Sequence, residues 1–142
     1  METDIKTLRE ILCSHDGRPG PLLPILHDVQ AQAGYISEDA IRVIADHLNL
    51  SRAEVSGVVS FYPDFHRTAD PRPAIKFCRA EACQARGSET LAKQAAVLAG
   101  DRVRVETVFC LGLCSAGPNA MVGEDVHARL DGDRIAALIG SL

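Results

Sequence analysis

The sequence lacks several features that would assign it to a common functional class. No apolar run approaches the roughly 18 residues that a membrane span needs, and METDIKTLRE at the start has no apolar signal-peptide region. No Lys/Arg-rich run occurs, and a net charge of −4 is too small to indicate nucleic-acid binding. Because phosphate loops, nucleophile elbows and HExxH motifs are missing too, we assign no catalytic residue. We expect a cytoplasmic chain without membrane contact.

The cysteines also lack the two-residue gap of a dithiol redox motif, although four of the five occur in pairs. The pairs are Cys78-x4-Cys83 and Cys110-x3-Cys114. Five cysteines cannot all form disulfides, and clustered cysteines in a reducing compartment usually bind metal. Cys13 stands apart on a predicted helix and is interpreted as an ordinary packed side chain. The four paired cysteines are therefore the candidate metal ligands.

The first half of the chain has the patterns of consecutive helices. Residues 3–13 are compatible with a helix, and the glycines and prolines of 17–24 interrupt it. A second apolar helical pattern ends at Gly34, and Ser37 is positioned to cap a third helix. Ser51-Arg-Ala-Glu54 has the spacing of a capping box, which begins a fourth helix. We predict a helical segment over residues 1–70.

The second half has an α/β pattern after Pro71 and Pro73. Its predicted elements are a strand at Ala74–Cys78, a helix from Ser88 to Ala99, a half-buried strand near Val103–Thr107, a hairpin of Asn119–Gly123 and Val126–Leu130 turning at Glu124–Asp125, and a helix capped by Asp131. The order β-α-β, loop, β-β-α is that of a thioredoxin-like layer. We therefore predict an α/β fold with a second domain over residues 71–142.

The cysteine spacing favours an iron–sulfur cluster, which takes two thiolates on each of two irons. Gly112 lies midway in the second pair, where glycine allows positive φ and lets backbone amides approach sulfur. The segment from Arg79 to Ala82 is predicted to be a tight loop. Each pair follows an aromatic residue, Phe77 or Phe109, which we expect at the end of a buried strand. Zinc also accepts four cysteines, so a structural zinc site and unliganded core cysteines both stay open as alternatives.

Two further groups of side chains surround or precede the cysteines. Arg79 and Arg86 are expected to favour the more negative reduced cluster, so that replacing either one lowers the midpoint potential. Phe61, Tyr62 and Phe65 supply three of the six aromatic residues of the chain. We interpret them as filling a junction between helices and sheet in preference to a patch that faces a partner.

The cysteine pattern, together with PILHDVQAQAGYISEDAIRVIADHLNLSRAEVSGVVSFYPDF, resembles the thioredoxin-like [2Fe–2S] ferredoxin subunits of NAD-linked oxidoreductases, such as the small cluster subunit of complex I. CRAEACQ, CLGLC and VHARL are most similar to the gamma subunit of soluble NAD-dependent formate dehydrogenases. The resemblance implies one [2Fe–2S] cluster, with Cys78 and Cys83 on one iron and Cys110 and Cys114 on the other. The segment between Cys83 and Cys110 is shorter than we expect for this family.

The resemblance also implies an electron-transfer subunit that is not a catalyst by itself. Its partner would be a flavoprotein subunit carrying FMN and NAD, in a larger complex with a molybdenum-containing formate dehydrogenase subunit. The alternatives are the equivalent subunit of complex I or of a hydrogenase diaphorase, a zinc-stabilised interaction module, and a thiol-disulfide enzyme. The helices of residues 1–70, with Tyr35, Phe61, Tyr62 and Phe65 near their ends, are the candidate docking surface.

Overall fold

A computed structural model describes residues 5–142 and divides the chain into two compact units, Met1–Pro71 and Arg72–Leu142. The division lies one residue from the domain boundary expected between residues 70 and 71. The first two residues of the predicted helix 3–13 lie outside the described residues. Each unit has a hydrophobic core of its own. Within residues 5–142, no helix is long and apolar enough to cross a membrane.

Four helices form the described part of the first unit. They are α1 (Ile5–Ser14), α2 (Leu22–Ala33), α3 (Glu38–Leu48) and α4 (Arg52–Phe61). The start of α2 differs from the prediction, because this helix begins inside the 17–24 stretch and includes Pro24 in its first turn, where no backbone N–H is needed. Gly34 ends α2 with φ of 82°, a conformation that glycine adopts without a Cβ penalty. The Ser37 hydroxyl accepts a hydrogen bond from the amide of Ala40, and the Ser51–Glu54 capping box is complete. Local capping chemistry thus sets the end of α2 and the starts of α3 and α4.

The aromatic residues at the end of α4 and directly after it have different environments. Phe65 is 7% exposed and belongs to the core of the helical unit. Phe61 is 76% exposed, so the interpretation that it fills a junction between helices and sheet is wrong for this residue. Tyr62 packs edge-on against both rings, with centroid distances of 5.1 Å to Phe61 and 5.9 Å to Phe65. The three aromatic rings therefore extend from the surface at Phe61 to the core at Phe65.

The second unit is a four-stranded mixed sheet with helices, which confirms the predicted α/β class. Its elements are β1 (Ala74–Cys78), α5 (Glu81–Ala85), α6 (Ser88–Ala99), β2 (Arg104–Val108), a 3₁₀ turn (Cys114–Ala116), β3 (Ala120–Val122), β4 (Asp125–His127) and α7 (Gly132–Gly140). The strand order is β2-β1-β3-β4. Strand β1 pairs parallel with β2 and antiparallel with β3, and β3 pairs antiparallel with β4.

Three details of this unit differ from the sequence prediction. The alternation of Val103, Val105 and Thr107 in the sequence predicts one buried and one exposed face for β2. Instead, every residue of β2 is partly exposed. The β3–β4 turn consists of Gly123 and Glu124, one residue earlier than predicted, because Val122 pairs with Asp125. Gly123 has φ of 58°, which suits the first position of a two-residue hairpin turn. The strand pairing thus sets the turn position, and glycine suits the conformation that the turn requires.

The largest difference is α5, which lies where the sequence predicts a loop. The five residues Glu81–Ala85 form one short helix, with Glu81 in its first turn. Alanine and glutamine favour helix, and a carboxylate near the N-terminus interacts well with the helix dipole. A segment this short gives too little periodicity to be recognised from the sequence. Its consequence is that Cys83 is held by a helix.

Candidate metal centre

The four paired cysteines lie at the ends of strands and on the short helical segments that follow them. Cys78 is the last residue of β1, and Cys83 lies within α5; each is 2% exposed. Cys110 follows β2, and Cys114 begins the 3₁₀ turn; both are exposed. Cys13 lies on α1 and is also exposed, so its interpretation as a packed cysteine is wrong.

The second pair converges through an unusual backbone. The sulfurs of Cys110 and Cys114 are 3.7 Å apart, close to the ~3.8 Å that separates two sulfurs on one tetrahedral metal with bonds of about 2.3 Å. Cys110 has φ of 73°, which is uncommon for a residue with a side chain. Gly112 has φ of 79°, and its amide donates to the Cys110 sulfur at 3.4 Å. The predicted role of Gly112 is confirmed in both respects.

The pKa of the Cys78 thiol depends on backbone amides of both cysteine segments. Burial acts to raise the pKa of the Cys78 thiol, but hydrogen bonds from the amides of Ala80, Cys110 and Leu111 and from the Cys83 thiol outweigh it, and the pKa is lowered. Two of these three amides belong to the second segment. The fold therefore brings that segment onto a sulfur of the first pair and favours its thiolate form.

The other sulfurs also interact across the two pairs. Burial, and then the neighbouring Cys78 thiol, raise the pKa of Cys83, while the amide of Asn119 acts in the opposite direction. The hydrogen bond and the charge of Cys110 raise the pKa of Cys114, with a further contribution from the charge of Cys78. Several thiolates that oppose one another's ionisation need a bound cation to be stabilised together.

Gly117 leaves room for the sulfur of Cys83. A Cβ at this position would lie 3.0 Å from the Cys83 sulfur and 3.4 Å from Cδ of Arg86. Gly117 has φ of −68°, a value open to other residues, so close approach is what requires glycine here. The backbone that leaves the second cysteine segment thus packs directly against a sulfur of the first.

The donor set fits a two-iron cluster. In the described part of the chain, no three His, Cys, Asp or Glu side chains are grouped to hold one ion. A [2Fe–2S] cluster makes a different demand, because each iron takes only two protein thiolates. Two cysteine pairs, amide donors aimed at sulfur and the space that Gly117 leaves at Cys83 meet this demand.

The two arginines near the cysteines have different partners. The Arg79 guanidinium donates to both carboxylate oxygens of Glu89, with 2.6 Å between Nε and Oε1. This pairing raises the pKa of Arg79 and lowers that of Glu89. Arg86 instead donates from Nη1 to the carbonyl of Ser115 at 2.8 Å and so connects the end of α5 to the second cysteine segment. The sequence prediction did not distinguish them.

Sequence reasoning missed four residues that shape the site. They are Glu89, which pairs with Arg79; Gly117, which makes room for a sulfur; Asn119, which is buried beside the cysteines; and Cys110 in its positive-φ conformation. The sequence prediction placed Asn119 at the start of a hairpin strand and assigned it no role at the site. Phe109, expected to be buried, is 67% exposed because β2 ends at Val108, whereas Phe77 is fully buried as predicted.

Comparisons with known proteins agree with this arrangement. Residues 8–142 match the family model described as thioredoxin-like [2Fe–2S] ferredoxin. An NADH-quinone oxidoreductase subunit from Escherichia coli (strain K12) is 33% identical over 120 residues, which are 78% of this chain and 72% of that protein. The HndA subunit of the NADP-reducing hydrogenase from Solidesulfovibrio fructosivorans is 29% identical over 131 residues, or 86% of this chain and 77% of that one.

A solved structure shares the fold. The crystal structure of an NAD⁺-reducing [NiFe]-hydrogenase in its air-oxidised state matches with a TM-score of 0.69 at 24% sequence identity. The match covers 85% of this chain but only 22% of the hydrogenase chain. The likeness therefore extends across most of the present chain and a small part of the larger one.

Proposed function

We propose that the four paired cysteines of this chain, which belongs to the thioredoxin-like [2Fe–2S] ferredoxin family, hold its one [2Fe–2S] cluster. These cysteines are Cys78, Cys83, Cys110 and Cys114. Cys78 and Cys83 bind one iron, and Cys110 and Cys114 bind the other. The observation that carries the proposal is the close packing of the two cysteine segments: a Cβ at Gly117 would lie 3.0 Å from the Cys83 sulfur, and Arg86 donates to the carbonyl of Ser115 at 2.8 Å. The second segment therefore lies directly beside the first pair.

The proposed function is electron transfer within an NAD-linked oxidoreductase. When bound, the cluster accepts and releases one electron at a time. NAD chemistry moves a hydride, which carries two electrons, so a flavin is needed to interconvert the two modes. Sequence reasoning identifies no nucleotide or flavin motif in this chain. We therefore place FMN and NAD on a partner flavoprotein subunit, and we place the complex in the cytoplasm.

The specific complex that we propose is a soluble NAD-dependent formate dehydrogenase with a molybdenum-containing subunit. The support is the likeness of the two cysteine segments and of VHARL to the gamma subunit of those enzymes. The equivalent subunit of complex I or of a hydrogenase diaphorase is the second candidate, favoured by the curated relatives. Both candidates use the cluster in the same way and differ in what supplies the electrons.

Purification of the tagged full chain with its native partners distinguishes the two candidates. NAD⁺ reduction by formate, together with molybdenum in the complex, is the expected result. NAD⁺ reduction by hydrogen, or quinone reduction by NADH without formate activity, would assign the chain to the second candidate. A complex with none of these activities, or a purified chain that contains zinc and no iron, would contradict electron transfer in either complex.

The proposed docking surface for the flavoprotein is the exposed end of α4. Phe61 lines a groove of about 560 Å³ together with Leu22, Leu50, Val58 and Tyr62. Phe65 is excluded from this surface by its burial, and Tyr35 is half-buried. Apolar side chains exposed around a groove are typical of protein interfaces. Phe61 is thus the proposed aromatic anchor of this docking surface.

Phe61→Glu tests this surface in the full chain. We expect Phe61→Glu to abolish capture of the flavoprotein while the iron content stays that of the wild type. Val97→Glu is the matched control, because Val97 is 83% exposed on α6 of the other unit. Full capture by Phe61→Glu, or equal loss in both variants, would contradict docking through the end of α4.

A further inference from the structure

Asn119 is a buried polar residue between the two cysteine segments. It directly precedes β3 and is 1% exposed. An amide side chain at such a position is costly unless its polar atoms find partners. Its surroundings therefore indicate what the residue does for the fold or for the site.

The backbone of Asn119 contacts the first cysteine pair. Its carbonyl accepts a hydrogen bond from the amide of Cys78 at 3.0 Å. Its own amide acts to lower the pKa of the Cys83 thiol. Any residue at position 119 could make these two contacts, because they need no particular side chain.

The side chain of Asn119 contacts the second pair. Its Nδ2 donates to the carbonyl of Leu113 at 2.8 Å, and Leu113 directly precedes Cys114. The same carbonyl accepts from the amide of Ala116 at 2.9 Å, which closes the 3₁₀ turn. The side chain therefore fixes the peptide group through which Cys114 enters the site.

The carbonyl end of the Asn119 side chain carries an energetic cost that the donor end must offset. Its Oδ1 is buried and has no hydrogen-bond partner within residues 5–142. A buried acceptor without a partner costs about 1–3 kcal/mol, which an apolar side chain of similar size would avoid. The compensating contribution is the donor, and that donor contacts only the second cysteine segment.

We propose that Asn119 is a positioning residue that holds the Cys114 segment in register with the Cys78–Cys83 pair through its side-chain hydrogen bond to Leu113. This inference rests on the proposed cluster ligands. It extends them by assigning to one buried amide the spacing between the two iron-binding pairs. By positioning Cys114, Asn119 affects the rate of iron loss and the electronic environment of the cluster.

Two substitutions separate the side-chain contact from the backbone contacts. Asn119→Asp keeps the shape but replaces the donor with an oxygen that faces the Leu113 carbonyl, and Asn119→Ala removes the side chain. Ser88→Ala is the matched control, because Ser88 is also fully buried in this unit and its Oγ also lacks a partner in the described chain. The experiment uses the full chain, prepared without oxygen, with folding checked by circular dichroism.

The readouts are the rate of iron loss to a chelator and the electron paramagnetic resonance spectrum of the reduced protein. We expect both Asn119 variants to lose iron roughly five- to tenfold faster, the range for one buried hydrogen bond, and to show altered g values. Asn119→Asp, which adds negative charge, should also have a lower midpoint potential. Ser88→Ala should match the wild type in all three measurements.

The outcomes distinguish this inference from the proposed function. A wild-type chain without iron would overturn the cluster ligands themselves. A wild-type chain with its cluster, and Asn119 variants with unchanged iron loss and spectrum, would overturn only the role of Asn119. A lowered melting temperature with unchanged cluster properties would also reject it, since the role would then be purely structural. If Asn119→Asp does not fold, the same measurements on Asn119→Ala decide between these outcomes.

Discussion

The two cysteine pairs of this chain are built in opposite ways. Cys78 and Cys83 are almost fully buried, one at the end of a central strand and the other in a helix. Cys110 and Cys114 are exposed, and their segment includes positive φ at Cys110 and at Gly112. The first pair is thus part of the folded core. The second pair is brought to the first by local backbone geometry and by side chains that reach across to it.

This contrast indicates that the two halves of the candidate four-cysteine site have different structural origins. The first pair depends on β1 and α5, which exist because of packing and helix propensity. The second depends on a segment whose conformation costs backbone strain at a non-glycine residue, of order 1 kcal/mol. Such strain persists where surrounding contacts determine the conformation. Arg86 and Asn119 supply two of those contacts.

Serine substitutions in the two pairs should give the largest difference. Cys83→Ser is expected to lose the cluster, whereas Cys114→Ser keeps a substantial part of its iron. Oxygen ligands form shorter bonds than sulfur ligands, so the serine must move toward the metal. Cys83 is enclosed, but Cys114 lies on an exposed segment that can adjust. Iron analysis of both proteins checks this, and equal retention would contradict the contrast between the pairs.

Alkylation rates after removal of the metal should give the second largest difference between the two cysteine pairs. Cys110 and Cys114 are expected to react with a thiol reagent roughly tenfold faster than Cys78 and Cys83, because reaction needs access as well as thiolate. The lowered pKa of Cys78 favours its thiolate, but burial blocks the reagent. Peptide mass spectrometry over time gives the rates, with exposed Cys13 as an internal reference. Fastest labelling at Cys78 or Cys83 would show that the first pair is not held in the core.

Gly117→Ala should disturb the junction between the pairs. The added Cβ would meet the Cys83 sulfur at 3.0 Å, and crowding of this kind costs about 1–3 kcal/mol. We expect a lower free energy of unfolding and lower iron occupancy. Gly140→Ala is the control, because a Cβ there meets nothing within 4 Å. If the two alanine variants behave alike, the close approach at Gly117 has no energetic role.

The arginines should give the smallest effect. Arg86→Ala is expected to lower the midpoint potential by about 10–40 mV, which is a few-fold change for a one-electron couple and is modest because solvent screens the exposed charge. Arg79→Ala should lower it by a similar amount, because the substitution also removes one positive charge and leaves the Glu89 carboxylate without its partner. Redox titration of both variants tests this. An unchanged or raised midpoint potential in either variant would contradict the prediction.

Local signals in the sequence predicted much of the fold. Gly34, Ser37, Ser51 and Asp131 cap helices where expected, since capping depends on a few neighbouring residues. Strand β1 and helix α6 have the predicted bounds. Helix α5 was missed because five residues are too few for a periodic pattern, and the turn after β3 shifted because register depends on strand pairing.

The four candidate ligands could be selected from the sequence, but their surroundings could not. Cysteine spacing alone selected the four sulfurs, because each pair is local in the sequence. Glu89, Gly117 and Asn119 act on residues that are distant along the chain or are oriented by the tertiary fold. No local pattern marks such contacts. The exposure of Phe109 and Cys13 was likewise a tertiary property.

Iron, zinc and acid-labile sulfide in the full chain, purified without oxygen, test the central claim most directly. Four thiolates on one [2Fe–2S] cluster predict about two irons and about two sulfides per chain, with little zinc. About one zinc per chain without iron would contradict the cluster and indicate a structural site.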